Sequence, residues 1–333
     1  MVRMTVLSSG SRGNSTVVAS SRTRILVDAG LSCRELLRRM ALAGEDPAEL
    51  DAILITHEHQ DHVQGVAVLA RKLGIPVYFT EMTHRAWVRW MLPKKRLTYA
   101  AWLERRKQEE AVRPAVSLTG SSVEDAPYRV AEMAAAAQDP IAEDPILDQA
   151  LEDPCDEQES PVRDAAALPA VAYFEAGTRF VIGDIDVLPF TIPHDAADPV
   201  GFVFEAEGVR VGMATDLGYM PQNAKQALRR CDVLMLESNH DLEMLRDGPY
   251  PWSVKQRVMS RVGHLSNDAA AEYLEKNYDG GAAFVVLAHL SESNNLPELA
   301  RVSAERALRD RMSLLANKLV LAHQEHPIEA ICL

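Results

Sequence analysis

Three histidines and an aspartate fall within six residues in Thr56-His57-Glu58-His59-Gln60-Asp61-His62, directly after the apolar run 52–55. No other stretch restricts the fold as strongly. Ionisable groups at this density are expensive to bury unless something positive meets them. The run 52–55 is short enough for a buried strand, and helix spacing begins at Asp61, so the cluster occupies a strand-to-helix turn. Two imidazoles at i and i+2 point the same way from an extended turn. Asp61 and His62 open the helix and face a second point nearby. One loop thereby supplies two ligand sets, as a dinuclear centre with ions about 3.5–4 Å apart requires.

Around this turn, residues 1–92 read as compact α/β. Short β-prone runs at 4–7, 15–19 and 24–28 form a meander, and 31–43 carries Leu and Met at helical spacing behind a Ser32 cap. A helix over 61–73, a strand over 77–80 and a helix from Met82 follow. Beyond 171, strands are expected at 173–174, 185–189, 201–205, 210–214, 233–236 and 283–288, with hairpin turns at Gly183-Asp184 and Glu207-Gly208. Helices are expected at 222–229, 254–262, 267–277 and 297–308, and terminal strands at 318–322 and 328–332. The order is strands then helices, twice. Two similar halves, each a mixed sheet with outer helices, make an α/β protein stacked as a four-layer αββα sandwich.

One insertion, 93–168, interrupts this single domain of 333 residues. It opens with a basic helix over 94–111 (Lys94, Lys95, Arg96, Arg105, Arg106, Lys107) and continues into an acidic, Pro-containing flexible segment over 131–167. The net charge of -13 would normally argue against a nucleic-acid partner, whose phosphates need positive potential. Residues 139–164, however, carry ten acids and one arginine, so nine of those thirteen charges sit in one atypical stretch. The basic residues either track a nucleic-acid backbone or form a solvated helix face. No apolar run reaches the roughly 18 residues of a membrane span. With a strand-like N-terminus and four scattered cysteines (Cys33, Cys155, Cys231, Cys332), a cytoplasmic protein with reduced thiols and no membrane partner is expected.

HxHxDH is the signature of the metallo-β-lactamase superfamily, which this sequence resembles from end to end apart from the insertion. Three further matches stand in order at strand ends: Pro193-His194-Asp195, Thr215-Asp216-Leu217-Gly218 and Ala288-His289-Leu290-Ser291. The resemblance implies that His57, His59 and His194 hold one divalent ion, that Asp61, His62 and His289 hold a second, and that Asp216 bridges the two. Zn or Mn is the expected metal, and Fe is compatible with the same ligands. Residues 9–15, Glu237-Ser238-Asn239-His240-Asp241, Gly263-His264-Leu265-Ser266-Asn267 and 289–295 together resemble the YycJ/WalJ group, with which 5′-to-3′ DNA exonuclease activity is associated. The Gly-His-Leu-Ser step is also similar to tRNase Z, where that histidine is catalytic. What the resemblance implies is a phosphodiesterase on nucleic acid, DNA more readily than RNA, working by attack of an ion-bridging hydroxide. Asp61 and His264 would be its catalytic residues.

The residues themselves are compatible with that expectation. His264 precedes a helix capped by Ser266, where free N–H groups favour a phosphate, and an imidazole there can protonate a leaving oxygen. Asp28 ends a strand at a position where the superfamily commonly carries an acid, and would orient a metal-binding histidine. The loop holding Ser11 and Asn14 either cradles a phosphate or is a plain tight hairpin. His240 and Asn295 either support the site or substrate, or are structural. Two other functions fit the same chain: a small-molecule esterase, lactonase or thioesterase, and a non-catalytic regulatory or adaptor protein using 131–167 as its tail. Protein partners and oligomeric state leave no signal in the sequence.

Overall fold

Strands such as Ser15–Ala19 and Val233–Glu237, apolar or small but for the terminal Glu237, are buried along their whole length, so both faces of each sheet must be covered. The computed structural model, which describes residues 1–91, 165–309 and 318–333, shows how. The first sheet contains β1 (Arg3–Ser8), β2 (Ser15–Ala19), β3 (Arg24–Val27), β4 (Ala52–Leu54), β5 (Val77–Phe79), β6 (Val171–Tyr173) and, returning from the C-terminus, β14 (Ile331–Cys332). The second runs from β7 (Phe180–Ile182) through β8 (Ile185–Thr191), β9 (Val200–Ala206), β10 (Val209–Ala214), β11 (Val233–Glu237) and β12 (Phe284–Ala288) to β13 (Lys318–Leu321). Each sheet is antiparallel on one side and parallel on the other, the change falling at β3 in the first and β10 in the second.

Between the sheets, Val6, Val18, Ile25 and Leu54 pack against Phe202, Phe204, Val211 and Val286. On the outer face of the first sheet lie α1 (Cys33–Leu42), α2 (Gln60–Val63), α3 (Val66–Leu73) and α4 (Glu81–Met91), which bury Leu36, Met40, Leu69 and Trp87. The second sheet is covered by α5 (Gln222–Ala227), α8 (Asn267–Lys276) and α9 (Pro297–Leu308) through Ala224, Leu274, Ala300 and Leu308. Short α6 (Leu242–Asp247) and α7 (Trp252–Val258) lie between them in sequence. The four-layer αββα sandwich is therefore the architecture, and both hairpin turns stand where expected, with Gly183, Glu207 and Gly208 all at positive φ.

Three local readings need correction. The single helix expected over 61–73 is two, α2 and α3, because Gly65 N–H donates to Ala29 O at 2.8 Å and so leaves the helical ladder. The helix expected over 254–262 stops at Val258; His264 N–H then reaches back to Val258 O at 2.9 Å and redirects the chain toward the sheets. The helix α6, capped by Asp241 through the N–H groups of Glu243 and Met244, was not expected. The basic helix over 94–111 lies outside the described residues, as does the acidic segment over 131–167 apart from 165–167. Among the described residues no helix is long and apolar enough to cross a membrane.

Candidate metal centre

Six strand ends open onto one edge of the sandwich, and each delivers an ionisable side chain there. Asp28 follows β3, the 57–62 turn follows β4, His194 follows β8, Asp216 follows β10, Glu237 ends β11 and His289 follows β12. Asp28, Asp216 and His289 all adopt left-handed backbone, with φ of 60°, 62° and 55°. Such conformations in non-glycine residues cost of order 1–3 kcal/mol and persist only where the surroundings impose them. Gly30 has no such choice of side chain: a Cβ there would lie 1.6 Å from Asp61 O, so only glycine lets the β3 loop press the 57–62 turn into place.

The turn closes a triangle of nitrogens. His59 Nδ1 lies 3.1 Å from His57 Nε2 and 3.2 Å from His194 Nε2. His194 Nδ1–H is held by Gly263 O, and His57 Nδ1–H by the Thr56 hydroxyl, so the converging atoms present lone pairs to one another. Three imidazole nitrogens around one tetrahedral zinc would stand about 3.3 Å apart. Beside this triangle, Asp61 Oδ2 is 3.5 Å from His62 Nε2 and 3.8 Å from His289 Nε2, and Asp216 Oδ2 is 3.5 Å from His62 Nε2. The donor atoms of His57, His62 and Asp216, and those of Asp61, His62 and His289, all meet within 4.8 Å. All seven side chains singled out as ligands thus converge on one locus. Asp216 Oδ2 and His289 Nε2 are buried there with no hydrogen-bond partner, a debt that a cation would discharge.

The charges around this locus explain its protonation without a cation. Burial alone would keep His62 neutral, but Asp28, Asp61 and Asp216 hold its pKa well above the ordinary value. Burial opposes protonation of His289 too, yet Asp216, Asp61 and Glu237 push it up to about 10. His57, buried among other imidazoles, goes the opposite way. A group raised from about 6.5 to about 10 contributes stability in full below pH 6.5 and loses it as pH climbs through 10. In chelator, the calorimetric Tm is therefore expected to fall by at least about 4 °C from pH 7 to 10. A flat profile would contradict this account, and His289→Gln should lessen the slope.

Behind the ligands stands a set of hydrogen-bond acceptors. His62 Nδ1–H donates to Asp28 Oδ2 at 2.8 Å, and Asp28 also accepts from the N–H and hydroxyl of Thr56, which fixes the ring with Nε2 inward. Glu237 is a residue whose role the sequence reading missed. Fully buried, it accepts from His264 Nδ1–H at 2.8 Å, His289 Nδ1–H at 2.9 Å and the N–H groups of Leu217 and Leu265. Burial would raise its pKa, but the His264 and His289 rings hold it well below the usual carboxylate range. Asp216, Glu237, His264 and His289 also come within 4.8 Å as a group, but both imidazoles meet it through Nδ1 atoms already given to Glu237. That group is a hydrogen-bonded relay, and among the described residues His264 Nε2 has no hydrogen-bond partner.

The remaining candidates separate. Asn14 is buried and its Nδ2 lies 3.2 Å from Asp61 Oδ2 and 3.0 Å from His62 Nε2, while Ser11 stands exposed at the loop tip. Among the described residues Asn295 hydrogen-bonds none of the candidate ligands; it ties Ser238 O, Asn239 O and Asn267 together beneath the β11 end. His240 is buried with Nδ1 unpaired, its pKa lowered to about 4 by burial, and its carbonyl receives Asn267 N–H.

Residues 9–251 match the family model of the metallo-beta-lactamase superfamily, and the chain belongs to that superfamily. Within it, the chain is similar to exodeoxyribonuclease WalJ of Streptococcus pneumoniae, 31% identical over 301 residues that span 90% of this chain and 86% of that one. It is likewise similar to exodeoxyribonuclease YycJ of Bacillus anthracis, 30% identical over 310 residues, 93% and 90% of the two chains. The short form of human tRNase Z shares the fold, with a TM-score of 0.51 at 15% identity over 98% of each chain.

Proposed function

We propose that the protein is a dinuclear-metal phosphodiesterase acting on nucleic acid, a 5′-to-3′ DNA exonuclease. The observation that carries this reading is the Glu237–His264 pair: an imidazole braced by a buried carboxylate, its other nitrogen without a hydrogen-bond partner among the described residues, beside side chains that could hold cations. A phosphodiester needs its leaving oxygen protonated, and a side chain placed for that task is what such a pair provides. The printed names of WalJ and YycJ, both exodeoxyribonucleases, support the substrate class. The polarity rests on the resemblance to their group.

His57, His59 and His194 would hold one cation and Asp61, His62 and His289 a second, with Asp216 between them. Bound there, the cations would supply Lewis acidity at the phosphate and a water acidified toward neutrality. The chain's own groups do the rest. Asp61, steadied by Asn14, accepts a hydrogen bond from the attacking water and aims it at phosphorus. His264 gives the Nε2 proton to the departing oxygen, while Glu237 faces Nδ1–H and balances the charge of the doubly protonated ring. Linear DNA labelled at its 5′ or 3′ end provides the test, with purified protein and Mn or Zn. Early release of the 5′ label is expected. Inert DNA together with turnover of a lactone or thioester would overturn the proposal.

A further inference from the structure

The loops that carry His194, Asp216 and His264 are joined into one rim. Gly218 N–H donates to Pro193 O at 3.0 Å and Asp195 N–H to Val262 O at 3.1 Å. The Asp195 carboxylate takes Arg257 Nε–H at 2.5 Å. A Cβ on Gly218 would lie 2.4 Å from the Arg261 carbonyl oxygen, so two of these loops touch main chain to main chain. On this rim stands Tyr219, three residues beyond Asp216 and 39% exposed, with the Arg261 guanidinium 4.7 Å from its ring centroid. Arg261 is exposed, and among the described residues no carboxylate lies within 4.0 Å of it, whereas its neighbour Arg257 is paired with Asp195.

We propose that Tyr219 and Arg261 form a stacking platform for an unpaired nucleobase next to the phosphate being cleaved. The inference rests on the nucleic-acid reading above and adds the strandedness of the substrate. A cation with no carboxylate within 4.0 Å among the described residues, on the rim that also carries His264, suits a polyanion. The planar guanidinium and the phenol ring both stack on bases, whatever the base, because every base has a π face. An unpaired base offers that face, which inside a duplex is covered by the neighbouring steps. The platform therefore favours single strands and frayed ends over duplex interior.

Binding of cleavage-resistant phosphorothioate single strands to the cation-loaded protein, followed by anisotropy, tests this. One strand carries all its bases; the other has abasic residues at the three terminal positions of each end. The wild type should bind the complete strand at least about tenfold more tightly, in keeping with base–aromatic stacking. Tyr219→Ala and Arg261→Gln should erase that preference, while Tyr219→Phe keeps it, and Arg261→Gln should lower the salt slope by about one. A preference that survives both substitutions, or a wild type indifferent to the abasic strand, would overturn the platform alone. A wild type that binds neither strand overturns the nucleic-acid reading and the platform with it.

Discussion

Asp216→Asn will lower phosphodiester turnover by roughly three orders of magnitude and leave the protein with at most half its bound cation, the outcome expected if this carboxylate lies between the two ligand sets as proposed. The choice of asparagine isolates the charge. Position 216 sits at φ 62°, where Asn is tolerated and Ala is strained, so the loop after β10 keeps its shape. What disappears is the carboxylate whose Oδ1 lies 3.2 Å from His289 Nδ1 and whose Oδ2 lies 3.5 Å from His62 Nε2. A neutral amide bridges two dications poorly, and its NH2 cannot accept from, or coordinate beside, either ring. The change also removes one of the negative charges that hold protons on His62 and His289 in the empty site, so the chelated protein should lose part of its pH-dependent stability as well. Metal analysis after gel filtration and initial rates on a labelled strand read the two effects. Wild-type metal content together with wild-type rates would remove Asp216 from the centre.

How much of this was legible in the sequence depends on how far apart the partners lie. The 57–62 cluster announced itself because its candidate ligands are contiguous, and the β-strand before it fixes which way they face. His194, Asp216 and His289 were readable because each ends an apolar strand in the order that the resemblance requires. Glu237 was not. It closes the run Val-Leu-Met-Leu-Glu, and its meaning appears only when His264 and His289, 27 and 52 residues downstream, are folded onto it. The available signal was a carboxylate at the end of a strand too apolar to leave it in water, since burial demands a partner. The break between α2 and α3 was illegible for a similar reason: the acceptor for Gly65 N–H is Ala29 O, set by packing of the β3 loop and not by local propensity. Tyr219 and Arg261 belong to this class too. They are 42 residues apart, and the contact of Gly218 with the Arg261 main chain, together with the bonds that tie these loops, places them on one rim.

Glu237→Gln should cost at least about 100-fold in kcat and about 2 kcal/mol or more in stability while leaving the histidine triangle loaded. The carboxylate receives four donors: two ring N–H groups on Oε1 and two backbone N–H groups on Oε2. A glutamine has one acceptor oxygen. If that oxygen faces the rings, its NH2 meets the N–H groups of Leu217 and Leu265; if it turns round, the NH2 meets both imidazoles. Either way buried donors confront one another, which is the source of the stability loss. Catalysis suffers separately, because His264 loses the anion that balances its second proton and His289 loses the acceptor that fixes its ring. Among the described residues His57, His59 and His194 make no hydrogen bond or ion pair with Glu237, whose partners are Leu217, His264, Leu265 and His289, so their cation should stay. Two readouts distinguish this from a merely weakened fold. The kcat–pH profile should change shape and not only height, and Glu237→Gln combined with His264→Ala should be no slower than the worse single variant, because the pair acts as a unit. Additive losses in that double variant, or a Glu237→Gln profile that parallels the wild type, would show that the carboxylate only holds the strand ends together.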